Sequence, residues 1–69
     1  MSSIFANGEI TRINKDTLEI HITDNNVIMA LLYNPKKLYK QEYIEVGYKV
    51  YFLYDTKTRE ILRLDVLKK

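Results

Sequence analysis

The sequence has no cysteine and no tryptophan, and only one histidine, one proline and two glycines in 69 residues. Without cysteine there is neither a disulfide staple nor a thiolate zinc site, so hydrophobic packing must hold the fold together. One histidine and scattered carboxylates give no metal-ligand spacing, and no glycine-rich loop is present to cradle a phosphate. The only serines, Ser2 and Ser3, lie at a terminus expected to be mobile, which cannot hold a nucleophile in place. A barrel of this length also offers little concave volume for a small-molecule substrate. The chain therefore reads as a non-enzyme with no catalytic residue, no metal ligand and no cofactor assigned.

Long hydrophobic runs are missing too. The longest, Val27 to Tyr33, is too short to span a bilayer. The N-terminal residues show no basic segment leading into an apolar stretch, so the chain reads as cytoplasmic, without a membrane partner. With 46% hydrophobic residues the composition is that of a folded domain, and the length suits one domain, residues 1–69, with one core. Eleven basic against nine acidic residues give a net charge of +2, so any polyanion site depends on how the charges are placed.

Along the chain, Glu9 to Ile13 after Gly8 reads as a first strand, closed by the turn formers Asn14-Lys15-Asp16. Thr17 to Thr23 alternates strictly, with Leu18, Ile20 and Ile22 on one face and Glu19, His21 and Thr23 on the other. Asp24-Asn25-Asn26 is a turn that tolerates positive φ, so Val27 to Tyr33 should return as a hairpin. Asn34-Pro35 is a helix N-cap followed by a first helical residue, and predicts a short helical turn over Pro35 to Lys40. Lys49 to Tyr54 has strand composition, Asp55 to Thr58 is a polar turn, and Glu60 to Leu67 closes the domain with Leu62, Leu64 and Val66 facing inward. Five strands with a helical turn between the third and fourth predict an all-β, five-stranded OB-fold barrel. An SH3-like barrel is the alternative; its helical element lies between the last two strands.

The pattern resembles the S1-type OB domains, a group that includes bacterial translation initiation factor one. The resemblance rests on Gly8 with Ile10, on Leu18-Glu19-Ile20, on the Asn turn, on Tyr43-Ile44, on Val46-Gly47 with Lys49-Val50, and on Tyr54-Asp55 with Lys57. Tyr48, directly after the glycine, and the loop Tyr33-Asn34-Pro35-Lys36-Lys37 depart from it. It implies binding to RNA, ribosomal RNA included, and a role in translation initiation.

The residues themselves supply a candidate interface. Lys36, Lys37 and Lys40 fall close together with no acidic side chain among them, interleaved with Tyr33, Tyr39 and Tyr43. Lysines neutralise phosphates while tyrosine rings stack on unpaired bases, so single-stranded RNA is the expected ligand, with DNA also open. A solvated face of the turn is the other reading of the same lysines. In OB domains the ligand crosses the second and third strands, which adds His21 as a stacking ring, although a lone histidine on a polar strand face is more often simply exposed. Tyr51 should point outward as a second platform or as a cross-strand packing partner. Arg12 and Arg63 extend a positive track if the barrel gathers their loops. Six tyrosines also suit a protein-interaction or inhibitory module docking on a nucleic-acid-processing complex, and the apolar third strand leaves self-assembly open.

Overall fold

Strict alternation makes Thr17–Ile22 a strand in a computed structural model of the chain, which describes residues 2–69. Met1, the first residue of the expected 1–69 domain, lies outside the described residues. The strands are β1 (Ser3–Ile13), β2 (Thr17–Ile22), β3 (Val27–Leu32), β4 (Lys49–Asp55) and β5 (Ile61–Lys68). One short 3-10 turn, Pro35–Lys37, separates β3 from β4. The sheet is antiparallel with spatial order β3-β2-β1-β4-β5, and its two outer strands meet through a parallel bridge between Leu32 and Glu60. The result is the expected five-stranded OB-like barrel. Between the last two strands there is only the turn after Asp55, which sets aside the SH3-like alternative.

The strand β1 is shared by the two halves of the barrel. Ser3 to Glu9 pair with β4, while Gly8 to Ile13 pair with β2, with a register shift between Ile10 and Arg12. Gly8 lies where both ladders overlap. A Cβ there would stand 2.5 Å from Ile20 Cγ2 and 2.7 Å from the His21 carbonyl oxygen, so only glycine lets β2 approach this closely. The first strand begins at Ser3 rather than after Gly8, because the Ser3–Asp55 pairing and the Thr56 N–H bond to the Ser2 carbonyl (2.8 Å) hold the terminus against β4.

Leu18, Ile20 and Ile22 all face the core, as their alternation predicts, and meet Ile10, Leu31, Val50 and Phe52. In β5 the inward set differs from the predicted one. The β4–β5 ladder shifts register between Leu53 and Tyr54, pairing Leu53 with Arg63 and Tyr54 with Ile61, so Leu62 becomes the extra residue and is 38% exposed. Ile61 is buried in its place, while Leu64 is buried and Val66 packs partly against the core as predicted. The helical turn is also shorter than predicted. Asn34 Oδ1 caps it by accepting the Lys36 N–H at 3.1 Å, but Leu38 returns to extended backbone and inserts into the core. Burying Leu38 outweighs continuing a helix too short to be stable alone.

Candidate functional site

Half of the sheet faces the core and half faces outward, and the outer face carries the polar rows that cross the strands. The longest runs Ile28, His21, Glu9, Lys49, Lys68 from β3 to β5. Alternation along β2 places His21 outward between Glu19 and Thr23, and the antiparallel register sets Glu9 directly opposite it. Glu9 Oε1 accepts from Lys49 Nζ at 3.0 Å. On the other side of the ring, His21 Nε2 meets Asn26 Oδ1 at 2.5 Å. Asn26 reaches it because its backbone is left-handed (φ 57°), a conformation Asn tolerates, and this closes the β2–β3 turn. The hairpin end therefore gathers an imidazole nitrogen, an amide oxygen and a carboxylate on one face. Among the described residues, no three His, Cys, Asp or Glu side chains form a group able to hold a metal ion.

Tyr51 does point outward. Its ring stacks on Phe5 with centroids 5.0 Å apart and planes 3° from parallel, which is the cross-strand packing role. Arg12 stands opposite Glu19 on the same outer face.

The lysines and tyrosines of the loop do not gather into one positive surface. Lys37 Nζ lies 3.9 Å from Glu60, and Lys40 Nζ lies 3.7 Å from Glu42 and 3.5 Å from Asp65, the residue that Arg63 also approaches at 3.8 Å. Lys36 and Tyr33 line one depression with Asp16 and Glu60; Tyr39, Lys40 and Arg63 line another with Leu38, Leu64 and Asp65. Tyr33 packs partly against the core, and burial, with the nearby Glu42 carboxylate, pushes its phenol up from the ordinary value. Tyr43 donates to Glu45 Oε2 at 2.6 Å, which raises its phenol as well, and its ring meets Tyr48 edge-on. Tyr39 is 94% exposed.

The neighbours of His21 escaped sequence reasoning. Glu9 lies twelve positions away and joins the row only through register. Phe5, the stacking partner of Tyr51, sits in the part of β1 that no turn signal announced. Asn26 was visible as a turn residue, but nothing in the sequence aims its side chain at the ring.

No protein-family model matches the chain, and no curated protein matches it. Solved structures do. A silver(I)-bound structure of CusF superposes with a TM-score of 0.77 at 21% identity, covering 97% of this chain and all (100%) of that one. A copper(II)-bound CusF variant from Escherichia coli gives 0.72 at 24% identity over 96% of this chain and 92% of that one. Metal-free CusF from the same organism gives 0.71 at 23% identity over 97% and 89%. At this identity the likeness establishes the OB-like fold.

These neighbours correct several readings. The barrel aligns with CusF and not with an S1-type domain or initiation factor one, so the translation role falls. Single-stranded RNA, ribosomal RNA and DNA fall as ligands, and with them the docking module for a nucleic-acid machine. The physical reason is on the surface: Lys37 and Lys40 face carboxylates contributed by Glu42, Glu60 and Asp65, so the track is locally neutralised. The cytoplasmic reading falls as well, since the solved structures that share this barrel are those of CusF.

Proposed function

We propose that this chain binds a metal ion of the copper class at the hairpin end of its outer sheet face, with His21 as the anchoring donor. Two things support the reading: the barrel is shared with silver(I)- and copper(II)-bound CusF, and the only imidazole of the sequence sits on the exposed face of β2 with Asn26 Oδ1 beside it and Glu9 opposite it in the β1–β2 ladder. The ion is cargo here rather than a resident catalytic group, and the protein is read as a binding protein without enzymatic activity.

Donor chemistry decides which ion fits. Soft ions such as silver(I) prefer thiolate and thioether sulfur, whereas imidazole suits copper(II) and carboxylate and amide oxygens suit harder ions. The sequence has no cysteine, and Met29 pairs with Ile20 across the ladder, which puts its thioether on the core side of β3 while His21 faces out. A closed soft-donor site therefore does not fit these residues. An open nitrogen-and-oxygen site does, with His21 supplying nitrogen and Asn26 and Glu9 supplying oxygen. Such a site binds weakly and exchanges its ion readily.

The test is calorimetric titration of the protein with copper(II) and with silver(I), beside His21→Ala and Glu9→Gln. Copper(II) binding that exceeds silver(I) binding and disappears in His21→Ala supports the proposal. Equal copper(II) binding in His21→Ala, or none in the parent, overturns it.

A further inference from the structure

Closure of the barrel is incomplete, and the gap has a definite chemical pattern. Backbone groups of successive residues in an antiparallel strand point alternately to opposite neighbours. The Tyr33 N–H bonds the Asp16 carbonyl on the β2 side (2.9 Å), whereas the Leu32 N–H bonds the Arg59 carbonyl on the opposite side (2.8 Å). Ile28 and Ala30, in phase with Leu32, therefore aim both N–H and C=O away from β2. The Leu32–Glu60 bridge ends the contact with the β5 side, so among the described residues the four groups of Ile28 and Ala30 form an open edge.

This edge lacks the usual guards. From Val27 through Asn34 the chain carries no charge, and within β3 there is no proline, glycine or bulge. The exposed side chains along it are apolar: Ile28 is 58% exposed, with Val27 and Leu32 also largely open. The opposite edge differs. β5 carries Arg63, Asp65 and Lys68, and Glu42 Oε2 already accepts the Val66 N–H at 3.0 Å.

We propose that the β3 edge is a self-association surface, and that its occupant is the β3 strand of a second copy of this chain. The argument is one of register. Pairing must keep core-side residues opposite core-side residues, because a one-residue slip would swap the faces. An antiparallel two-fold centred on Met29 meets this condition, setting Ile28 opposite the partner's Ala30 and Ala30 opposite the partner's Ile28. Both are hydrogen-bonded pairs, so four bonds form and consume every free group of Ile28 and Ala30 on both copies. Centring on Ala30 instead requires the Leu32 N–H, which Arg59 already holds. No charge meets its like across the seam, since the paired segments have none. The contact is short and belongs to the small, transient class of interface, so dimer formation depends on concentration.

The experiment is sedimentation equilibrium of the metal-free protein from about 10 µM to about 1 mM, a span that brackets weak association, with hydrogen exchange read at single amides. The mass is expected to rise from 8.2 kDa toward twice that value. Exchange of the Ile28 and Ala30 amides should slow by about tenfold at the high concentration, with no such change in β5. Two variants block the edge without touching the β2 ladder: Ala30→Pro removes a free N–H, and Ile28→Lys puts two positive charges near each other across the seam. Both should stay monomeric, and Ile28→Lys keeps the test decisive if Ala30→Pro fails to fold. A parent that stays monomeric throughout, or a dimer that survives in a folded variant, overturns the proposal.

Discussion

Leu32 donates its backbone N–H to the carbonyl of Arg59 across 2.8 Å, within the parallel Leu32–Glu60 bridge that joins the two ends of the sheet. Arg59 can offer that carbonyl because it turns left-handed (φ 62°) while its own N–H bonds the Asp55 carbonyl at 2.8 Å. A non-glycine residue in this conformation costs roughly 1–2 kcal/mol, partly offset in an Arg59→Gly comparison by the extra freedom of glycine when unfolded, about 0.4–1 kcal/mol. Arg59→Gly should therefore raise the melting temperature by a few degrees. Arg59→Pro, which can adopt neither the φ nor the hydrogen bond, should lower stability by about 3 kcal/mol. Thermal melts of the two variants check this, and a proline variant as stable as the parent would show that the left-handed turn at Arg59 is not needed to close the barrel.

Gly8 sets how closely β1 and β2 approach. Gly8→Ala places a methyl group against the His21 carbonyl, which is backbone and cannot rotate away, and against Ile20 Cγ2. Overpacking of this kind costs about 1–3 kcal/mol. Urea unfolding should show the loss, and the hairpin displacement should also weaken copper(II) binding if His21 anchors the ion. An alanine variant with parental stability would contradict the close approach.

The fold was legible because its signals are local. Leu18, Ile20 and Ile22 alternate within one strand, Asn34-Pro35 caps the turn, and Asp24-Asn25-Asn26 reverses the chain, each within a few residues. The site was less legible because it is assembled by register. Lys36, Lys37 and Lys40 look like a bare positive cluster in one dimension, and only the folded barrel brings Glu60 and Asp65 to Lys37 and Lys40. Likewise, His21 reads as a lone ring until the β1–β2 ladder sets Glu9 opposite it. The ligand class was read from that lysine and tyrosine cluster together with a resemblance of fold, and one fold hosts many ligands.

Phe5 and Tyr51 stack on the outer face, away from the core, so their pairing energy can be isolated. Aromatic pairs contribute about 0.5–1.5 kcal/mol beyond area burial. A double-mutant cycle of Phe5→Ala and Tyr51→Ala, read by urea unfolding, should give a coupling of about 1 kcal/mol. Phe52→Ala, in the fully buried core, should cost about 3–5 kcal/mol and leave little folded protein at 37 °C. A coupling near zero would mean that the two outer rings share a face without sharing energy.

Asp55 ties the acid stability of the barrel to the turn that closes it. Its Oδ1 accepts the N–H of Thr58 (3.1 Å) and of Lys57 (2.7 Å), and these bonds, with the Lys57 charge, hold its carboxyl below the ordinary value. A group whose folded value is depressed binds protons more readily when unfolded, so its stabilising contribution is fully present above the ordinary carboxylate range. That contribution is lost as the pH falls through the lowered folded value. In Asp55→Asn the side-chain oxygen can still accept from the turn but cannot titrate, so the variant should be less stable than the parent at neutral pH and approach it under acid. The measurement is the melting temperature of both proteins from pH 7 downward, with the gap narrowing as the carboxyl takes up its proton. A constant gap would show that Asp55 holds the turn by shape alone and that its charge contributes nothing.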